Sequence, residues 1–148
     1  MSISIQHAPF DVAAEIAALH AHDSSVGALV SFVGYVRDIH EGVGVHGMEL
    51  EHYPGMTEKS LATIMEQAAK RWRLLRVRVI HRIGKLAPAD PIVFVGVVSA
   101  HRADAFAACE FIMDFLKTQA PFWKKETTDN GERWVEARAS DDEAAGRW

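Results

Sequence analysis

Seven consecutive positions, Ile92 to Val98, hold only isoleucine, valine, phenylalanine and one glycine. A strand with one solvated face alternates, so an unbroken run of this kind is a strand central in a sheet. The wider apolar stretch, Pro91 to Ala100, falls far short of the roughly 20 residues a membrane-spanning helix needs. The chain has 148 residues, enough for one domain, 1–148, with its own core. A composition of 49% hydrophobic and 24% charged residues excludes disorder and low complexity. One cysteine, Cys109, excludes an intramolecular disulfide framework. Met1 to Ile5 lacks the basic and apolar regions of a signal peptide, and the expected address is cytoplasmic.

Around that strand the chain reads as a mixture of helices and strands. Ser2 to Gln6 alternates as a short strand. Asp11 caps a helix in which Val12, Ile16 and Leu19 follow at helical spacing. Gly27 to Val36 reads as a buried strand, His40 to Gly47 as a mobile glycine-rich loop, and Met48 to Tyr53 as a strand ended by Pro54-Gly55. Thr57 opens a second helix with Leu61, Ile64, Met65, Ala68 and Trp72 on its apolar stripe. Leu86 to Pro91 is a turn. Arg102 to Gln119 is the third and longest helix. Phe122 to Thr127 and Arg133 to Ala137 flank Asp129-Asn130-Gly131, a hairpin signal. Strands and helices do not alternate strictly, which favours α+β over a doubly wound parallel sheet.

The formal charge of -4 offers no global attraction for polyanions. Lys70, Arg71, Arg73, Arg76, Arg78, Arg82 and Lys85 nonetheless crowd a stretch free of acids. From Leu75 to Ile83, apolar residues and His81 alternate with a face carrying Arg76, Arg78 and Arg82. The stripe is therefore expected to be the solvated face of a strand rather than a nucleic-acid surface. Eight histidines show no metal-ligand spacing, and no metal is expected. Phosphate-loop, dinucleotide and GxSxG patterns are absent from the sequence.

The third helix is apolar on two faces, Phe111 and Phe115 lying away from Cys109, Ile112 and Leu116. It is expected to be buried on two sides, one of them against another subunit. Cys109, two turns inside the helix, is expected to be a small core residue rather than a nucleophile. Lys117 sits at the edge of the main apolar face, where its ammonium can reach a pocket or simply favour the helix C-terminus. Lys124 and Lys125 point to opposite faces of the next strand, Lys124 beside Phe122 and Glu126. His101-Arg102 at a helix start suits a phosphate or a plain solvated turn. Arg37, at a strand end beside the glycine-rich loop, suits a ligand clamp or a plain solvated arginine.

Seven segments together closely resemble the large, catalytic subunit family of molybdopterin synthase. They are Leu50-Glu-His-Tyr-Pro-Gly-Met-Thr-Glu-Lys59, Val79-Ile-His-Arg-Ile-Gly84, Val93-Phe-Val-Gly-Val97, Ser99-Ala-His-Arg102, Phe111-Ile-Met-Asp-Phe-Leu-Lys117, Ala120-Pro-Phe-Trp-Lys124 and Arg133-Trp-Val-Glu-Ala-Arg138. The resemblance runs from about Phe10 to Trp148. It implies an α/β-hammerhead α+β fold with an antiparallel or mixed sheet and three main helices. It also implies a homodimer, each subunit carrying a ubiquitin-like small subunit in a heterotetramer. The small subunit's C-terminal thiocarboxylate would supply two sulfurs to cyclic pyranopterin monophosphate, forming the dithiolene of molybdopterin.

By the same resemblance Lys117 and Lys124 would be catalytic. Tyr35, Val36, Arg37, His101, Arg102, Lys125 and Glu126 would join them in binding substrate, Met113 would pack nearby, and Arg138 would come from the dimer partner. No cofactor, nucleic acid or membrane is implied. Tyr35 and Gln119 depart from the family pattern, standing where lysine and arginine are common. Lys117 would sit at the thiocarboxylate in acid–base or oxyanion chemistry, while Lys124, Arg37, His101 and Arg102 orient the pterin and its phosphate. The competing reading is a non-catalytic module that binds the tail of a ubiquitin-like protein.

Overall fold

The structure is a computed structural model that describes residues 1–136 and 138–148. Its elements run β1 (Ser2–Gln6), α1 (Val12–His20), β2 (Ala28–Tyr35), β3 (Ile39–His40), β4 (Val43–His52), α2 (Met56–Arg71), β5 (Arg76–Arg82) and β6 (Gly84–Leu86). There follow β7 (Pro91–Ser99), α3 (Arg102–Gln119), β8 (Phe122–Thr128), β9 (Gly131–Val135) and α4 (Ala139–Gly146). The fold is α+β.

β7 is interior to a four-stranded sheet of order β1-β5-β7-β2, where only β1 and β5 run parallel. The reason for its unbroken apolar run is that both faces are covered. Val93, Val95 and Val97 enter the main core with α2 and α3, while Phe94 and Val98 pack with Leu19 and Ile80 under α1. A second, five-stranded sheet of order β3-β4-β8-β9, with β6 also on β4, closes one end. Asp11 caps α1 as its position predicts, accepting from the Ala14 N–H at 3.1 Å. The Pro54-Gly55 break takes Gly55 to φ 85, and its N–H donates to Glu58 at 2.6 Å, which starts α2. Thr57 is fully buried, accepting from the Tyr53 N–H and donating to the Pro121 carbonyl, so the start of α2 is tied to the start of β8.

Three expectations are corrected. The stretch 40–47 is not a loose loop: β3 and β4 form a hairpin whose turn uses Gly42 at φ 77. The basic face of β5 is not solvated. Arg76 donates to the Leu19 and His20 carbonyls and to Asp23, Arg78 to Glu15 and Ser2, and buried Arg82 to the His7 and Pro91 carbonyls. α1 and the preceding segment therefore cover that face, and its guanidiniums pair with backbone carbonyls and with Asp23, Glu15 and Ser2. The second apolar face of α3 is filled from within the chain, Phe111 meeting Trp72, Phe115 and Trp148 edge-on or tilted. A fourth helix, α4, also packs on α3. β9 ends at Val135, and the Ala137 end of the expected strand lies outside the described residues.

Candidate active site

Three elements converge where α3 runs out. Lys117 is in the last turn of α3, and Pro121 then sends the chain into β8. Strand alternation puts Phe122, Lys124 and Glu126 on the inward face of β8. Antiparallel pairing with β4 fixes the register, Leu50 facing Lys124 and Met48 facing Glu126. Arg37 follows β2 after an irregularity at Gly34/Tyr35. Its segment is pinned by the Val36 N–H donating to the Asp90 carbonyl at 2.9 Å and the Ala89 N–H donating to the Val36 carbonyl at 2.8 Å. These residues enclose a cavity of about 310 Å³ lined by Tyr35, Arg37, Lys117, Lys124, Glu126 and Arg138.

The cavity brings four cationic side chains, Arg37, Lys117, Lys124 and Arg138, together with the carboxylates of Glu126, Glu136 and Asp141. Burial first, and the Lys117 ammonium second, pull the Lys124 pKa down to about 8. Lys124 thus exchanges its proton near neutrality, while its neighbours hold a positive field. Glu126 is 2% exposed but not free: His40 Nδ1 lies 2.6 Å from one oxygen, and Arg133 donates to the other at 3.2 Å. Arg133 also donates to the His40 carbonyl at 3.0 Å, so the β3–β4 hairpin is latched over the cavity. The arrangement suits an anionic ligand whose reaction moves a proton.

The structure gathers Tyr35, Arg37, Lys117, Lys124, Glu126 and Arg138, and leaves other expected residues outside. Val36 is 2% exposed, its side chain packed in the core. Lys125 points away, 3.8 Å from Glu132 and 5.8 Å above the Trp134 ring. His101 and Arg102 sit at the opposite end of α3, roughly 22 Å from Lys117 along the helix at ~1.5 Å per residue. Arg138, expected from a partner subunit, lines the cavity of its own chain. Met113 packs against the main core, and Leu116 lines the cavity instead. Cys109 is a core residue as expected, its thiol pushed up to about 11 by burial.

Sequence reasoning missed His40, His81, Glu136 and Asp141, which also line the cavity. One signal was available: His81 occupies the apolar register of β5, where a histidine needs a reason to be. Among the described residues no group of three or more His, Cys, Asp or Glu side chains is arranged to hold a metal ion.

Comparison with known proteins gives one consistent answer. Residues 5–119 match the family model described as MoaE protein. The "Molybdopterin synthase catalytic subunit" of Pseudomonas aeruginosa is 60% identical over 148 residues, covering 100% of this chain and 99% of its own. The "Molybdopterin biosynthesis MoaE protein" structure from Burkholderia ambifaria superposes with TM-score 0.85 at 57% identity, covering 99% and 97% of the two chains. "Molybdopterin Synthase" from Staphylococcus aureus superposes with TM-score 0.83 at 33% identity, covering 90% and 96%.

Proposed function

Because the chain belongs to the MoaE protein family, we propose that the lysine-bearing cavity is where sulfur reaches the pterin substrate of molybdopterin synthase. The chain is accordingly an enzyme subunit of molybdenum cofactor biosynthesis. The partner is a ubiquitin-like small subunit whose C-terminal thiocarboxylate enters the cavity, and the acceptor is cyclic pyranopterin monophosphate. The carrying observation is the pair of lysines in one cavity, with Lys124 drawn down to about 8.

Each residue has a role in this reading. Lys117, exposed at the helix end, meets the thiocarboxylate and stabilises negative charge as its carbonyl is attacked. Lys124, half-buried behind it, takes and returns a proton. Arg37 and Arg138 hold the phosphate. Tyr35 supplies a rim contact without charge. Glu126 keeps the hairpin in place rather than touching substrate. The thiocarboxylate carries the sulfur, so a buried, high-pKa Cys109 is no obstacle. His101 and Arg102 serve a pocket only if a second copy presents them, which is their place in the homodimer of a heterotetramer. The reaction is assigned to the cytoplasm; separately, no helix among the described residues is long and apolar enough to cross a membrane.

The test is turnover with a thiocarboxylated small subunit and cyclic pyranopterin monophosphate, with dithiolene product followed by mass spectrometry. Wild type makes product. Lys117→Ala keeps the small subunit bound but loses kcat by about 10²-fold or more. Binding without product from wild type would favour a tail-binding module instead.

A further inference from the structure

His81 is 2% exposed and lies on β5, yet it lines the cavity. Its ring stacks flat on Phe122, with centroids 3.7 Å apart and planes 16° apart. Phe122 is two residues before Lys124 on the same face of β8, so the imidazole is held among the site's own residues. Nδ1 lies 2.8 Å from the Arg82 carbonyl. A carbonyl only accepts, so the ring proton is on Nδ1 and Nε2 carries a lone pair. Among the described residues Nε2 has no hydrogen-bond partner, and no fully buried side-chain nitrogen or oxygen is left unpaired. Nε2 is therefore one of the few atoms of His81 open to the cavity.

The cavity's other side-chain acceptors are chiefly carboxylates, Glu126, Glu136 and Asp141, all of them charged. Arg37, Lys117, Lys124 and Arg138 only donate. Glu126 is taken by His40 and Arg133, and one Asp141 oxygen by the Arg138 N–H. A carboxylate at the position of His81 would add to Glu126, Glu136 and Asp141 and weaken the field of the four cations further. A protonated imidazole would repel the same anion-binding lysines. Burial, reinforced by Lys124, Lys117 and His52, holds the His81 pKa near 3, so the ring stays neutral at working pH.

We propose that His81 is a specificity-determining residue of this site, its Nε2 being an uncharged acceptor for an N–H donor on the ligand. The inference rests on the functional reading above. Two sources share that chemistry: a ring N–H of the pterin, and a backbone amide of the small subunit's tail. In either case the cations select the anionic group and His81 selects the N–H edge beside it. A ligand with the charge but no donor leaves Nε2 desolvated and unpaired.

Calorimetry on the full chain separates the sources, with cyclic pyranopterin monophosphate in one arm and the small subunit in its carboxylate form in the other. His81→Phe keeps the flat ring on Phe122 and deletes the acceptor. It weakens one arm about tenfold and leaves the other unchanged. A pterin loss assigns the ring N–H, and a small-subunit loss assigns a tail amide. His81→Gln, which restores an acceptor, recovers part of the loss, as a merely structural role would not. In turnover the same change raises KM with kcat kept. A second readout needs no variant: the Nε2 resonance of ¹⁵N-labelled wild type moves on addition of the ligand concerned. Wild-type affinity in both arms for both variants, or an unmoved resonance with ligand bound, overturns the inference. Wild type that binds neither ligand overturns the functional reading itself.

Discussion

Lys124 is costly to the folded chain, and that cost is measurable. Its pKa of about 8 in the fold lies below the 10.5 of a solvated lysine. Between those values the unfolded chain binds a proton that the folded chain lacks, so stability from this residue rises with pH across pH 8 to 10.5. Below pH 8 the full penalty applies. Lys124→Met is therefore expected to stabilise the protein at pH 7 by on the order of 2 kcal/mol while abolishing turnover. Urea unfolding at pH 7 and pH 10 checks this, the gain shrinking at the higher pH. His81 has the same sign in a different window. Its pKa is about 3 against 6.5 for a free imidazole, so stability is lost as pH falls from 6.5 toward 3, where only the unfolded chain binds the proton. Unfolding of His81→Phe should show a flatter dependence over that range.

Among the elements, the β3–β4 hairpin depends most on one distant residue. Glu126 on β8 holds His40 across the cavity, and Arg133 on β9 braces both. Glu126→Gln weakens two charge-assisted bonds. Amide exchange over residues 39–45 should then quicken at least tenfold while β5 and β7 keep wild-type protection, as read by hydrogen–deuterium exchange. This hairpin was illegible because three glycines in eight residues have the composition of a loop, although Gly42 alone sits at the turn with φ 77. β7, α3 and the β8–β9 hairpin were legible because their signals are local: an apolar run, a helical stripe and Asp-Asn-Gly. β5 shows the limit of periodicity. Alternation separates two faces but does not say whether water or other segments of the chain satisfy the arginines. α4 has almost no apolar stripe and left no signal. For the site, Lys117 and Lys124 stood out through family motifs, whereas His81 acquires meaning only when β5 is laid against β8.

The whole molecule is α1, a sheet, and the α2–α3 layer, with a second sheet closing one end. Cys109 lies 5% exposed in the main core, with its thiol pushed up to about 11. Neither access nor thiolate is available while the layers hold together. Reaction with a maleimide at pH 7 should follow the global unfolding midpoint in urea rather than precede it. Early labelling would mean that α3 lifts off separately. The four tryptophans divide with the architecture. Trp123 and Trp134 are 45% and 58% exposed on the outer sheet, whereas Trp72 and Trp148 meet at right angles with centroids 5.5 Å apart. Trp148 is anchored by its indole N–H on Asp114 and by Arg71 on its carbonyl. Two indoles so close and crossed couple their electronic transitions, so the chain carries an exciton pair of its own. The helix before Trp148 supplies Asp141 to the cavity wall. The circular dichroism of that pair is thus an intrinsic optical gauge of whether the wall is seated, with no label attached.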